Sequence, residues 1–197
     1  MFVIGLTGSI GMGKSTTAEM FKAEGIPVND ADEVVHALYA AEAVEPIEAA
    51  FPGTTAEGRV NRVKLAAHLA KHPADFKTLE AIVHPLVREK ELQFRGKAEE
   101  LGHDIIVLDI PLLFETGGEG RVDAVVVVSC APEIQRARVL ARPGMTVDKF
   151  EMILSRQMPD GEKRRRADYI VDTGKGLEQA RAQVRAIIAD IRATRLS

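Results

Sequence analysis

What most constrains this chain is the junction between Phe2-Val3-Ile4-Gly5-Leu6 and Gly8-Ser9-Ile10-Gly11-Met12-Gly13-Lys14-Ser15-Thr16. The first stretch is an apolar run that reads as a strand buried on both faces, and a helical segment follows the second, so the glycines must turn strand into helix. The turn matches G-x-x-x-x-G-K-[ST], a loop whose successive backbone N–H groups curl around phosphate oxygens at a helix N-terminus. Lys14 then reaches the outer phosphates as a point charge, the Ser15 hydroxyl is placed to ligate magnesium, and Thr16 adds a hydroxyl near the inner phosphates. The acceptor stays open at this point. Nucleotide kinases, small-metabolite kinases, GTPases and ATP-driven switches all share such a loop.

Composition excludes several other classes. A chain of 197 residues with 46% apolar and 28% charged residues can bury a real core and lies within the range of one domain. No apolar stretch reaches the length of a membrane span, and the strand beginning almost at Met1 leaves no room for an export signal, so a cytoplasmic protein is expected. Cys130 is the sole cysteine, which rules out an internal disulfide, and its place after Val125-Val126-Val127-Val128 predicts a reduced, structural thiol. A formal charge of −3 gives no reason to expect a nucleic-acid partner.

The remaining pattern alternates strands with helices. Strands are predicted at residues 2–7, at Ile26–Asn29, at Ile105–Asp109, at Ala124–Val128 and at Tyr169–Val171, and helices at residues 14–24, 33–41, most of 63–101, 133–141, 147–157 and the C-terminal segment. In the last of these, Leu177, Ala180, Val184, Ile187, Ile188 and Ile191 recur at helical spacing and are expected to face the sheet. Pro85 follows His84 within the long helical stretch and predicts a bend or a fresh helix start there. The result is an α/β layer structure with right-handed parallel crossovers.

In such a fold ligands gather beyond the carboxyl ends of the strands. Asp109 ends one strand and is a candidate to orient magnesium directly or through water. Asp30 and Asp32 follow another. In an extended strand they point oppositely, so one of them faces the reaction centre, and Asp32 is the first choice to orient an acceptor hydroxyl. Residues 133–166 carry nine basic against five acidic side chains, an excess that suits a closing lid over phosphates, with Arg142 before Pro143-Gly144 and Arg138 one turn earlier as its leading groups. His84 lacks a partner that defines a metal site and is read as a structural residue or a substrate contact. Leu112, Leu113 and Phe114 read first as packing residues, with Phe114 able to flank an organic substrate.

Taken together, Leu6–Thr16, Asp30-Ala31-Asp32, His84-Pro85, Asp109-Ile110-Pro111-Leu112-Leu113-Phe114-Glu115 and Ala167–Asp172 make the chain resemble the dephospho-CoA kinase family from its first strand to its last helix. The resemblance implies a P-loop, nucleotide-kinase-like three-layer fold with a five-stranded parallel sheet, a helical acceptor-side insertion and a lid. It implies a core of residues 1–32, 102–141 and 167–197, a CoA-side helical domain of 33–101 and a lid of 142–166. The implied reaction moves the γ-phosphoryl group of ATP to the 3′-hydroxyl of dephospho-CoA, with magnesium, in a monomer or weak homo-oligomer with no membrane partner. Gly11, Met12, Gly13, Lys14, Ser15 and Thr16 would hold ATP, and Lys14, Asp32, Arg142 and Arg138 would be catalytic. Asp30, Asp32, His84, Leu112, Leu113 and Phe114 would meet the acceptor, while Ser15 and Asp109 would serve the metal. One departure stands out: many members of that family place an asparagine–glycine pair after the last strand, where this chain has Asp172-Thr173-Gly174. A related nucleoside, nucleotide or small-metabolite kinase, and an ATP-dependent regulatory switch, are the alternatives.

Overall fold

The computed structural model describes residues 1–194. The elements run β1 (Phe2–Thr7), α1 (Lys14–Ala23), β2 (Val28–Asp30), α2 (Ala31–Leu38), α3 (Val44–Ala50), β3 (Thr55–Ala56), β4 (Arg59–Val60) and α4 (Arg62–Lys71). They continue with α5 (Phe76–Glu100), β5 (Ile105–Asp109), β6 (Ala124–Ser129), α6 (Pro132–Leu140), α7 (Val147–Leu154), α8 (Asp160–Arg166), β7 (Tyr169–Asp172) and α9 (Leu177–Thr194). The chain divides into two compact units, one made of Met1–Asn29 with the described residues from Ala98 onward, the other of Asp30–Lys97.

The first unit is built on a five-stranded parallel sheet in the order β2-β5-β1-β6-β7. Leu6 lies level with both Asp109 and Val126, so the phosphate loop after β1 and the carboxylate ending β5 leave the sheet at the same edge. Ile4, Leu6, Ile105, Val107, Val126, Val127 and Val128 are fully buried because helices cover both faces of the sheet, which is why these strands are apolar without alternation. One face packs on α1 and α9 through Phe21, Val184, Ile188 and Ile191. Truncating any such Ile or Leu to Ala is expected to cost about 2–5 kcal/mol.

The second unit packs α2, α3, α4 and α5 around Leu38, Ile47, Phe51, Leu65, Leu69 and Val83. Two local features differ from expectation. Pro85 does not interrupt the helix but sits inside the 25-residue α5. The carbonyl of Ala81 loses the amide that proline lacks, yet Ala81, His84 and Pro85 are all exposed, so water solvates the orphaned oxygen and the turn survives. Residues 55–60 form a short antiparallel hairpin turning at Glu57-Gly58, with Glu57 itself at a positive φ of 52°. Its base is held by the Glu48 carboxylate, which accepts from Gly53 N at 2.7 Å and from the Thr55 hydroxyl at 2.6 Å. Among the described residues no helix is long and apolar enough to cross a membrane.

Candidate active site

The phosphate loop owes its shape to glycine at two points of close approach. Gly11 adopts a φ of 78°, and a Cβ there would run into Val139 Cγ2 on α6. Gly13 adopts a φ of 98°, and a Cβ there would press on the Thr173 side chain at 3.2 Å. Neither position tolerates an L side chain without strain. Gly13 is also the N-cap of α1 and offers no side chain to cap it, so the first amides of the helix remain available to an anion.

Lys14 stands at the start of α1 with its Nζ 2.5 Å from Oδ1 of Asp109, whose side chain is wholly buried. A fully buried carboxylate needs a paired cation, and the sheet register delivers the two groups to one edge. The loop backbone is gripped from outside. Gln135 Nε2 on α6 donates to the Ile10 carbonyl at 2.7 Å, and Ile10 N–H donates to Gln157 Oε1 at 3.1 Å. The Thr173 hydroxyl donates to the Met12 carbonyl at 2.6 Å and accepts from Arg138 Nη1 at 2.9 Å, while Arg138 Nη2 donates to the Thr173 carbonyl at 2.9 Å.

Beside the loop lies a cavity of about 320 Å³ whose walls include Gly13, Thr16, Met20, Arg138, Arg142 and Thr173. Leu177, expected to face the sheet, instead opens the last helix at 61% exposure and lines this cavity. The other five residues of that periodic set are buried as expected. Arg138 and Arg142 thus share one cavity, as their spacing implied, but the Arg138 guanidinium is already tied to the loop that follows β7. Cys130 is buried against Met12, with Sγ to Sδ at 3.5 Å, and burial pushes its thiol up against the opposing pull of Arg138.

The segment from Gln157 to Arg166 is anchored rather than free. Lys163, within the basic run, is fully buried with its Nζ 2.9 Å from Glu115 Oε1, and the same oxygen accepts from Met158 N at 2.7 Å. Burial pushes the Glu115 carboxyl up, but Lys163 and the Met158 amide outweigh that and hold it below the usual carboxylate range. Ser129 Oγ donates to Asp160 Oδ2 at 2.7 Å, and the Arg166 guanidinium lies 4.7 Å from the Phe114 ring centre and pairs with Glu119. The 142–166 stretch read as a lid is therefore pinned over its last ten residues.

Leu113 and Phe114 are buried in a cluster with Val125 and Val127, so of the three apolar residues assigned to the acceptor only Leu112, 41% exposed, has a free face. The packing read for Leu113 and Phe114 follows from the loop after β5 folding back on the sheet, where Leu113 O accepts the Gly118 amide at 2.8 Å. In the second unit the two aspartates part ways. Asp30 is the N-cap of α2, its Oδ1 accepting from Asp32 N at 2.8 Å and Glu33 N at 3.2 Å, while the Asp32 side chain is exposed on the first turn. His84 is exposed on α5.

Gln135, Gln157 and Thr173 were not legible as site residues. Their contacts with the loop span 125, 147 and 161 positions, and no local signal announces them. Among the described residues no three His, Cys, Asp or Glu side chains form a metal-holding cluster. The oxygen donors at the loop are the exposed Ser15 hydroxyl and the Asp109 carboxylate, a hard set that suits magnesium, which takes few protein ligands and keeps waters and substrate phosphates.

Residues 2–179 match the family model described as dephospho-CoA kinase. A dephospho-CoA kinase of Agrobacterium fabrum is 66% identical over 188 residues, covering 95% of this chain and 97% of that protein. One of Rhizobium meliloti is 58% identical over 193 residues, covering 98% and 100%. A crystal structure of a Thermus thermophilus protein is 34% identical, covers 96% of this chain and 97% of its own, and superposes with a TM-score of 0.84.

Proposed function

Because the chain belongs to the dephospho-CoA kinase family, it transfers the γ-phosphoryl group of ATP to the 3′-hydroxyl of dephospho-CoA, and we propose that Lys14, Asp32 and Arg142 carry this transfer. The observation that carries the assignment of roles is the Lys14 ammonium held at the loop by a buried carboxylate, 2.5 Å away. Its charge is pre-positioned at the first turn of α1 and costs little reorganisation when phosphate arrives.

Gly11 to Thr16 cradle the nucleotide phosphates with main-chain amides, and the cavity walled by Met20, Leu177 and Ala180 takes the base on its apolar side. Ser15, and Asp109 directly or through water, would hold magnesium, which would supply positive charge to offset the negative charge of transfer. Asp32 accepts the hydrogen bond of the acceptor hydroxyl and orients its oxygen for in-line attack. The division of labour on α2 supports this choice, since Asp30 is committed to capping and Asp32 is not. Asp30 keeps the α2 terminus in place beneath it, and His84 and Leu112 contact the acceptor.

Arg142, exposed at the Arg142-Pro143-Gly144 break and lining the cavity, spreads its guanidinium over the transferring group, and residues 142–156 form the part of the lid that moves. Arg138 acts at one remove, through Thr173. The test is direct: purified chain with ATP and magnesium converts dephospho-CoA to CoA and ADP, resolved by chromatography, and turns it over faster than any nucleoside monophosphate. A folded sample that prefers a nucleoside monophosphate would overturn the acceptor assignment.

A further inference from the structure

A loop that binds phosphate through its main chain must turn N–H groups inward, and each inward N–H leaves carbonyls turned outward. Outward carbonyls in a buried loop need donors of their own, because an unpaired buried backbone oxygen is costly. Met12 is 2% exposed and Gly11 is buried, so water does not supply those donors freely. The structure supplies them from side chains far along the chain: Gln135 Nε2 on the Ile10 carbonyl at 2.7 Å, and the Thr173 hydroxyl on the Met12 carbonyl at 2.6 Å.

These contacts fix direction as well as distance. The two peptides that meet at Ile10 are each held, the Ile10–Gly11 unit through its carbonyl by Gln135 and the Ser9–Ile10 unit through its N–H by the Gln157 oxygen at 3.1 Å, so neither flips without breaking its own bond. Backbone chemistry also fixes which end of each amide faces the loop, since a carbonyl demands the nitrogen of Gln135 and an N–H the oxygen of Gln157. Thr173 has one hydroxyl proton. Arg138 Nη1 donates to that hydroxyl at 2.9 Å, which leaves the proton to be directed at Met12. Gln135 is itself 6% exposed and Thr173 8% exposed, so neither side chain is free to wander.

We propose that Gln135 and the Arg138–Thr173 pair are positioning residues for phosphoryl transfer: they hold the Ile10 and Met12 carbonyls outward and so keep the phosphate loop in its anion-binding form. The inference rests on the reading that Gly11 to Thr16 hold ATP phosphates. The apparent nucleotide Kd equals the intrinsic one divided by the fraction of molecules in the competent loop form, so a tenfold fall in that fraction appears as a tenfold rise in Kd.

The experiment measures ADP binding by calorimetry and steady-state kinetics on the full chain for Q135L, T173V and T173S. Q135L and T173V are expected to raise the ADP Kd and the ATP KM about tenfold, with the KM for dephospho-CoA unmoved. T173S, which restores the hydroxyl, is expected to return both within about twofold of wild type. Thr173 lines the cavity whereas Gln135 is not among its lining residues, so Q135L separates loop geometry from base contact. Equal ADP binding by folded Q135L and wild type would overturn the proposal, as would a T173S variant no better than T173V. If Q135L does not fold, the T173V and T173S pair decides. Failure of wild type itself to bind ADP would instead bring down the phosphate-loop reading, and the inference with it.

Discussion

The unit that carries the phosphate loop and the helical unit of this kinase are finished to different degrees. In the first unit, the two peptides that meet at Ile10 are each bonded to a glutamine side chain, Lys14 is paired with Asp109, and Arg138 is locked to Thr173. In the second unit, Asp32 and His84 stand exposed, and the ordered carboxylate is the one that caps a helix, Asp30. Triphosphate is a constant ligand that repays a rigid cradle, because preorganised dipoles need not reorient as charge develops. An acceptor as long as dephospho-CoA brings its own binding energy and can order the side chains it meets.

Substitutions test that contrast in descending order. Lys14→Ala removes the prepositioned charge and is expected to lower kcat/KM by about a thousandfold or more, read by ADP release. Asp32→Asn is expected to cut kcat about a hundredfold or more while the ADP Kd holds; near-normal turnover at saturating substrates would remove Asp32 from the acceptor role. Arg142→Ala should lower kcat about tenfold to a hundredfold through lost charge stabilisation, with little change in Tm; an effect on Tm alone would make Arg142 a structural residue.

The smallest effect concerns pH and the anchored segment from Gln157 to Arg166. The Glu115 carboxyl lies below its usual range, so its interaction with Lys163 contributes stability above the unfolded-state value of about 4.3, and that contribution is lost as pH falls through the lowered folded value. Glu115→Gln should therefore be less stable than wild type by a constant margin above about pH 5, and the margin should shrink below about pH 4 in urea melts. A margin independent of pH would show that the contact acts through packing and not charge.

Much of the parallel sheet and its first loop was legible because the signals are local. A buried strand, small residues at fixed spacing and a helix start lie within the first sixteen residues, and the apolar strands of a covered sheet announce themselves by lacking alternation. Elsewhere the form was less legible. Pro85 reads as a break, and only the exposure of Ala81 and its neighbours explains why α5 runs through it. The basic excess of residues 133–166 reads as a lid over phosphates, yet Lys163 within it is wholly buried, because the Glu115 that neutralises it comes from a distant part of the chain, the segment after β5. Leu113 and Phe114 sit inside a motif that points to substrate, and tertiary packing takes them into the core.

The outward carbonyls of the phosphate loop bear on how far this motif can travel. On the reading proposed above, residues 8–16 would contribute the amides that meet the ligand, but the side chains bonded to their carbonyls belong to α6 and to the turn after β7. A graft of those nine residues onto another strand and helix would transplant the letters of the motif without its bracing. The nucleotide grip of this protein is a heritable unit only as a set of segments that neighbour each other in space while lying far apart in the gene.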